Sequence, residues 1–188
     1  MLTWQENRSF HFTECAVFRI PTVKRGDVFM RAERPNYNAD RHAIVEVDAE
    51  RFLALWRQPH STHEDVAHGT PETWPGDRKY KDAEGGFAHG AENPVPLAEV
   101  SCGRDTTEII EVRRRFFLFK QEVVIAPSGL PWLGFTNGVT RTIWLLTQGA
   151  TVFPVECSID EANELQELAG LPGGRPVLLS NLIPERTR

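Results

Sequence analysis

The feature that most constrains this chain is the run from Thr136 to Glu156, T-N-G-V-T-R-T-I-W-L-L-T-Q-G-A-T-V-F-P-V-E. Gly138 stands where a chain leaving a strand can turn without Cβ strain, and Gly149 stands where a short helix would end. The residues after Gly149 begin a β-branched and aromatic run that is typical of a buried strand. The run therefore predicts a strand end, a glycine turn, a short helix, a second glycine turn and a buried strand.

The start of this predicted helix has the residues of a phosphate site. Thr136 and Asn137 favour a helix start because their side chains can accept bonds from free backbone N–H groups. Arg141 follows in the first turn, where its guanidinium can face the same anion as the unpaired amides. The alternative stays open that the glycines merely turn the chain and that Arg141 is a surface charge.

The combination of G-x-x-R with the following L-L-x-x-G-A-x-x-x-P-V resembles the signature of the ParB/sulfiredoxin superfamily. In that superfamily a strand leads into a glycine–arginine turn, and the next helix leads to a strand containing Pro-Val. The segment P-V-P-L-A-E-V, from Pro94 to Val100, is similar to the strand that opens the domain. The resemblance covers roughly residues 92–170. The whole chain, by its size and its tract R-R-R-F-F-L-F-K, is most similar to plasmid fertility-inhibition proteins of the Osa and FiwA type.

The chain departs from the superfamily pattern at the turn itself. Sulfiredoxins carry a catalytic cysteine directly after the glycine, as G-C-H-R, whereas this chain has Gly138, Val139, Thr140 and Arg141. Sulfinic-acid reduction is excluded because no thiol stands there. Thr140 can donate a hydrogen bond but cannot act as a base near pH 7. The chain also lacks an obvious helix-turn-helix segment, so centromere binding of the ParB kind is not expected.

The resemblance to Osa-type fertility inhibitors implies ATPase and DNA-nuclease activity that blocks DNA delivery through a type IV secretion channel. Asn137, Gly138, Val139 and Thr140 would form the phosphate-binding turn, and Arg141 would be the catalytic residue that neutralises developing phosphate charge. ATP and DNA would be substrates, and a divalent metal, Mg²⁺, is the expected cofactor. The alternative is a non-enzymatic protein that occludes the secretion coupling protein or the transferred relaxase complex.

A second candidate site is the basic cluster of Arg113, Arg114 and Arg115. These arginines could bind nucleic-acid phosphates, and Phe116, Phe117 and Phe119 beside them could stack on bases. The phenylalanines could equally be core residues and the arginines solvated or paired with glutamates. A plain DNA-binding module is thus a third hypothesis.

The sequence identifies neither the metal ligands nor the general base. A structural zinc site is disfavoured because the four histidines of the segment 60–93 have no regular element to fix their geometry. These histidines are His60, His63, His68 and His89. Carboxylates that could hold Mg²⁺ have no fixed spacing: Glu99, Asp105, Glu108, Glu111 and Glu122. No Walker-type loop is present.

Composition limits the function classes. A net charge of −5 means that nucleic-acid binding must use a local basic patch rather than the overall field. Three widely spaced cysteines fit neither a zinc signature nor a disulfide framework, which predicts buried, reduced thiols. The N-terminus lacks the features of a signal peptide, and no apolar stretch approaches about eighteen residues. We expect a cytoplasmic protein without a transmembrane segment that reaches the inner membrane only through a partner.

The predicted fold class is α+β, a ParB/sulfiredoxin-like small mixed sheet flanked by helices. Residues 1–91 are predicted as a β-rich N-terminal extension with a long loop, and residues 92–188 as the core of one compact unit. Within the extension, two strands are expected in residues 14–33 and a third at 43–47. Asp48 then caps a helix whose residues Phe52, Leu55 and Trp56 face the core.

The segment 60–93 is predicted as a long loop because it is rich in Gly, Pro, His and charged residues and poor in branched apolar ones. The run from Glu108 to Ile125 could be a helix or a strand pair, and its aromatic and β-branched half favours strands. A further strand is expected from Pro131 and a helix capped by Ser158. Trp132 and Trp144 are expected in the core, although Trp132 could line a pocket for a base.

Overall fold

The computed structural model of the chain describes residues 3–10, 12–34, 38–105, 108–115, 119–127 and 129–185. Segments 108–115 and 119–127 are described by their backbone. In this part of the chain, strands and helices combine into two mixed sheets, a two-stranded hairpin and surrounding helices. The predicted α+β class is therefore confirmed.

The described residues contain eleven strands and six α-helices. The strands are β1 Trp4–Phe10, β2 Thr13–Thr22, β3 Gly26–Glu33, β4 His42–Asp48, β5 Val95–Pro96, β6 Ala98–Arg104, β7 Glu108–Arg115, β8 Phe119–Pro127, β9 Pro131–Asn137, β10 Val152–Ser158 and β11 Val177–Leu178. The helices are α1 Ala49–Trp56, α2 Glu64–Ala67, α3 Tyr80–Ala88, α4 Val139–Thr147, α5 Ile159–Ala169 and α6 Leu179–Leu182. Short 3-10 helices cover Ala39–Arg41, Trp74–Gly76 and Gly90–Glu92.

The two main sheets share strands from both halves of the chain. The first has the order β1-β2-β3-β5, with β3 and β5 parallel, and the second has the order β11-β4-β10-β6-β9, with β10 and β6 parallel. Strand β4, from the predicted extension, pairs with β10, whereas β5, from the predicted core, pairs with β3. Strands β7 and β8 form a separate antiparallel hairpin, as the strand interpretation of this run predicts.

Helix α1 forms where the sequence predicts it. The Asp48 side chain accepts hydrogen bonds from the backbone N–H groups of Glu50 and Arg51, at 3.1 and 3.0 Å, which satisfies two of the free amides of the first turn. Phe52, Leu55 and Trp56 are buried. The Phe52 ring meets the Phe153 ring of β10 edge-on, with centroids 5.4 Å apart, so the helix covers one face of the second sheet.

The segment 60–93 is more ordered than the loop prediction, which is wrong for much of its length. It contains α2, α3 and two of the 3-10 helices, and Trp74, Tyr80 and Phe87 are buried. Phe87 stacks on Trp144 of α4 with ring centroids 4.1 Å apart. Aromatic side chains here provide the buried area that branched apolar residues provide elsewhere. This packing fixes α3 beside the start of α4.

The other local predictions agree with the structure at most points. Helix α5 follows the capping residue Ser158, whose hydroxyl accepts from the Asp160 N–H at 3.3 Å, and β11 and α6 are the last elements of the described chain. The three cysteines are free and buried, as predicted, and burial raises the pKa of Cys15 to about 11 and those of Cys102 and Cys157 to about 12. In the described part of the chain, no helix is both long and apolar enough to cross a membrane.

Candidate functional site

The predicted glycine–arginine turn lines an open cleft of about 570 Å³, here called the glycine–arginine cleft. One wall is residues 136–141, where β9 passes into α4. The opposite wall comes from the segment before and within α3, including Asp77, Arg78, Lys79 and Asp82. The turn is thus accessible from solvent on one side and faces charged side chains across the cleft.

Gly138 makes this turn as the sequence predicts. Its φ of +96° lies in the left-handed region, where a side chain is strained. A Cβ atom at this position would also lie 2.6 Å from the Ala98 Cα atom of β6. A glycine is therefore required both by the backbone conformation and by the close approach of the neighbouring strand.

The first backbone amides of α4 are available at the cleft. The Thr142 N–H donates to the Gly138 carbonyl at 3.0 Å, and no side chain caps the helix. Within the described residues, the N–H groups of Val139, Thr140 and Arg141 have no backbone acceptor. Unpaired amides and the positive end of the helix dipole together favour an anion at this place.

Asn137 and Thr136 do not start the helix, which corrects the sequence prediction. Strand β9 continues through Asn137, and Gly138 takes the N-cap position because it alone tolerates the left-handed turn. The Asn137 side-chain oxygen instead accepts a hydrogen bond from Arg141 Nη2 at 2.8 Å. Thr136 lies exposed near the end of the strand.

Arg141 is held by the protein itself. Its Nη1 atom donates to the carbonyl oxygens of Pro96 and Leu97 at 2.6 and 2.7 Å, in the link between β5 and β6. Burial, and next the positive charge of Arg31, lower the pKa of Arg141, while Glu99 acts in the opposite direction. With the Asn137 bond, three of the five guanidinium N–H donors have protein acceptors. The guanidinium therefore connects the end of β9 to the link between β5 and β6, and it adds positive charge beside the cleft. The catalytic role of Arg141 stays a prediction.

The opposite wall holds candidate site residues that the sequence analysis did not name. Arg78 and Lys79 directly precede α3 and line the cleft with the α4 amides. The Asp77 carboxylate accepts the Lys79 N–H at 2.8 Å and so shapes the entry to the helix. The sequence signal that could have identified Arg78 and Lys79 is their position as a basic pair beside Tyr80. Tyr80 is a buried aromatic residue within a segment that was predicted as a loop.

A second cleft, of about 360 Å³, runs along β9 from Trp132 to Thr136 and is called the Trp132 cleft. Trp132 lines it and is half-buried, so the expectation that it lies in the core is wrong and the alternative, that it lines a pocket, agrees with the structure. The His60 Nε2 atom lies 3.5 Å from the Asp105 Oδ2 atom. The lining also includes Thr62, Ser101, Gly134 and Phe135, and Thr136 lines both this cleft and the first. Among the described lining residues, aromatic and hydroxyl groups therefore prevail beside the His60–Asp105 pair, with neither lysine nor arginine.

The two candidate metal ligands with described side chains, Glu99 and Asp105, line different clefts. Among the described residues, no group of three or more His, Cys, Asp or Glu side chains could hold a metal ion. Glu99 lines a third cleft beside the His42–Glu156 pair, in which His42 Nδ1 lies 2.7 Å from Glu156 Oε1, and burial raises the Glu156 pKa. His68 lies 3.9 Å from Glu64, on α2. The side chains of Glu108, Glu111 and Glu122 lie outside the described residues.

The predicted basic cluster lies on the hairpin. Arg113, Arg114 and Arg115 pair by backbone with Gln121, Lys120 and Phe119 across β7 and β8. Their side chains, and Phe116 and Phe117 entirely, lie outside the described residues, so DNA binding by this cluster stays a prediction. The base of the hairpin is closed by Asp105, whose N–H donates to Leu130 O at 2.8 Å and whose carbonyl accepts from Gly129 at 3.1 Å. The hairpin thus begins at the edge of the Trp132 cleft.

Comparison with known proteins places the chain among relatives of one kind. The family model described as plasmid fertility inhibition factor matches residues 44–170. The protein osa of Shigella flexneri is 31% identical over 166 residues, which cover 88% of this chain and 74% of that protein. A crystal structure of oncogenic suppression activity protein, a plasmid fertility inhibition factor, as a gold(I) cyanide derivative, is 30% identical. It matches with a TM-score of 0.66 over 89% of this chain and 75% of that one.

Proposed function

This chain belongs to the plasmid fertility inhibition factor family, and we propose that it blocks DNA transfer through a type IV secretion system by hydrolysing phosphate bonds. The substrates in this proposal are ATP and the transferred DNA. The protein acts in the cytoplasm and reaches the inner membrane through its secretion partner. The family model and the solved structure support the fertility-inhibition part, because both are described as a plasmid fertility inhibition factor.

The observation that carries the hydrolase proposal is the meeting of positive charge and free amides in the glycine–arginine cleft. Arg78 and Lys79 come from one wall, and Arg141 and the uncapped start of α4 come from the other. A triphosphate or a phosphodiester carries charge that such groups neutralise, and these groups matter most where charge develops during phosphoryl transfer. The overall net charge of −5 makes this local cluster stand out from the rest of the surface.

The residues of the cleft also fit a magnesium ion that arrives with the substrate. Mg²⁺ usually keeps several waters and binds one or two carboxylates together with substrate phosphates, rather than a complete protein cage. Asp82 and Asp77 line the cleft and are the carboxylates that would hold it. When bound, the ion would neutralise charge on the phosphate oxygens. The chain itself supplies orientation through the amides of Val139 and Thr140 and charge through the arginines and lysine.

We further propose that the second sheet and α4 have the ParB/sulfiredoxin-like arrangement. Support comes from the order of β9, the Gly138 turn, α4 and β10, with Pro154 and Val155 inside the last strand. This is the order that the motif resemblance implies. The turn lacks a thiol, and its nearest cysteine along the chain, Cys157, is buried, so the chemistry in this proposal is phosphate hydrolysis and not sulfinic-acid reduction.

The experiment measures ATP and DNA hydrolysis with magnesium for Arg78→Ala, Lys79→Ala and the double variant. Each single substitution is expected to lower kcat/KM by about tenfold to a hundredfold, because a donor to the developing charge is lost. Lys81→Ala is the matched control, since Lys81 is exposed on α3 outside the cleft lining. Arg141→Ala is less informative because it also removes three hydrogen bonds within the protein. Unchanged hydrolysis in the folded double variant would exclude the glycine–arginine cleft as the site of hydrolysis.

A non-enzymatic role is the second proposal, and one observation favours it. Phe12, at the turn between β1 and β2, is fully exposed, and Val23, at the turn between β2 and β3, is 82% exposed. Large apolar side chains at exposed turns suit contact with a partner protein, here the coupling protein or the relaxase complex. If Phe12→Ser abolishes transfer inhibition while Arg78→Ala with Lys79→Ala leaves it intact, occlusion is the better account.

A further inference from the structure

We propose that two copies of this chain associate through the open edge of strand β1, which pairs antiparallel with the same strand of a second copy about a two-fold axis at Asn7. The inference concerns the first sheet and is independent of the phosphate chemistry proposed above. It is carried by an uncovered sheet edge, by charges that complement themselves in one register, and by exposed aromatic side chains that flank those charges.

Strand β1 leaves one long edge of the first sheet open. It is the outermost strand of the order β1-β2-β3-β5, and from Trp4 to Ser9 its backbone bonds only with β2 among the described residues. The edge strands β5 and β11 have only two residues each. The edge of β9 is covered by Thr62, whose N–H donates to the Leu133 carbonyl at 3.0 Å. Unpaired N–H and C=O groups along a strand of seven residues can accept a further strand.

The strand is anchored from both faces of the sheet. The Asn7 Nδ2 atom donates to the Leu182 carbonyl of α6 at 2.5 Å, and the Arg8 Nη1 atom donates to the Ala91 carbonyl at 2.6 Å. Neighbouring residues of a strand point to opposite faces, so these two bonds hold β1 from two sides. A second strand therefore meets a fixed template, and its pairing costs little ordering of β1.

The charges of β1 select one register for this pairing. Glu6 and Arg8 share a face and form an ion pair in which their side chains are 42% and 39% exposed. An antiparallel pair of identical strands has its two-fold axis perpendicular to the sheet, so paired residues share a face and the axis lies at one residue of each copy. With the axis at Asn7, each Glu6 lies opposite Arg8 of the second copy. With the axis at Glu6 or at Arg8, two like charges lie opposite each other, which is destabilising.

The ion pair within each strand does not prevent the pairing between copies. A carboxylate has two oxygens that accept about four hydrogen bonds, and a guanidinium has five N–H donors. Each Glu6 can therefore keep Arg8 of its own strand and also accept from Arg8 of the second copy. The Asn7 register thus produces a ring of four charges of alternating sign.

Exposed aromatic side chains add apolar area at the ends of the same interface. Five large apolar side chains are exposed among the described residues, and two of them, Trp4 and Phe12, flank the charged centre of β1. With the axis at Asn7, Trp4 of one copy lies at the end of the strand pair that holds Phe12 of the other. Since the pairing with β2 is irregular between Trp4 and Glu6, the charges and not the tryptophan set the register. The aromatic groups then favour association without fixing it.

The test measures the molecular mass by sedimentation equilibrium as a function of protein concentration. The wild type is expected to be a reversible dimer with a Kd of about 10–100 µM, because one strand pair is a small interface. Glu6→Arg and Arg8→Glu, each alone, should weaken the dimer by about tenfold, because like charges then lie opposite each other. An equimolar mixture of these two variants should form a mixed dimer, since one copy is then positive and the other negative. Arg25→Glu, which removes an exposed ion pair with Glu84 at the β2–β3 turn, is the matched control and should dimerise as the wild type does.

Three outcomes would overturn the inference: a wild-type monomer at every concentration, undiminished dimerisation of the folded Glu6→Arg variant, or two folded variants that do not combine. If one of the single variants does not fold, the double variant Glu6→Arg with Arg8→Glu decides the case. It exchanges the two charges and keeps the ion pair, so it should dimerise as the wild type does. A wild-type monomer that binds an extended peptide along β1 would assign this edge to another protein and not to a second copy.

Discussion

The glycine–arginine cleft and the Trp132 cleft adjoin at Thr136 of the same strand, β9, yet they offer opposite chemistry. The first presents uncapped amides and cationic side chains at a helix start. The second presents an indole ring, hydroxyls and the His60–Asp105 pair on one face of a sheet. A helix end gathers charge in one place, whereas a sheet face spreads side chains over an area. One strand therefore carries a cationic cleft and an aromatic, hydroxyl-lined cleft side by side.

The two clefts also depend on glycine for different reasons. Gly138 needs its positive φ and the close contact with Ala98, so the backbone itself would have to move to accept a side chain. Gly134 has ordinary backbone angles, and an added Cβ would meet the Ser101 hydroxyl, which can rotate away. The glycine–arginine cleft thus depends on one backbone conformation, while at Gly134 the close neighbour of an added side chain is a rotatable hydroxyl.

The largest effect that separates the clefts is expected from glycine substitution. Gly138→Ala should lower the free energy of unfolding by about 3–5 kcal/mol, from left-handed strain and the clash with Ala98. Gly134→Ala should cost only about 1 kcal/mol, because one rotamer change relieves the contact. Urea denaturation measures both values. Equal losses in the two variants would show that the turn at Gly138 is not specially constrained.

A smaller effect is expected at Arg141, and it distinguishes positioning from chemistry. Arg141→Ala should lower the free energy of unfolding by about 1–2 kcal/mol, because the carbonyls of Pro96 and Leu97 lose a charged donor. Asn137→Ala, which removes only the single bond to the Nη2 atom, should cost less. Arg141→Lys keeps the charge but not the fork of donors.

The stability and phosphate affinity of these variants then distinguish a structural role of Arg141 from a role in phosphate binding. If Arg141 chiefly positions the strands, Arg141→Lys should be destabilised nearly as much as Arg141→Ala while keeping part of its phosphate affinity. If Arg141→Ala is as stable as the wild type, the structural bonds to the link between β5 and β6 contribute little. Arg141 would then serve phosphate binding and not the stability of the fold.

The sequence predicted the parts of the glycine–arginine cleft that depend only on residues close together in the chain. Gly138, Gly149 and the helix between them follow from local backbone preferences, and the structure has them at the expected places. The same reasoning failed for Asn137, because a capping side chain and a bond to Arg141 compete for one oxygen atom. Local preference could not show which of these partners prevails.

The opposite wall could not be predicted from the sequence because it is assembled by contacts between distant residues. Helix α3 contains Gly85 and Gly86 and has a weak intrinsic preference for helix. It forms because Phe87 stacks on Trp144 and because Gln148 donates to the Tyr80 hydroxyl at 3.1 Å. That packing carries Arg78 and Lys79 to the turn at Gly138. The tertiary contacts, and not the segment's composition, decide its structure.

The most direct measurement is a titration of the ¹⁵N-labelled protein with inorganic tripolyphosphate and magnesium, followed by amide chemical shifts. The account predicts that the largest changes fall on Val139, Thr140 and Arg141, that Arg78→Ala with Lys79→Ala weakens them, and that Gly134 near the second cleft shifts little. Binding that leaves these three amides unmoved would contradict the assignment of the glycine–arginine cleft as the phosphate site.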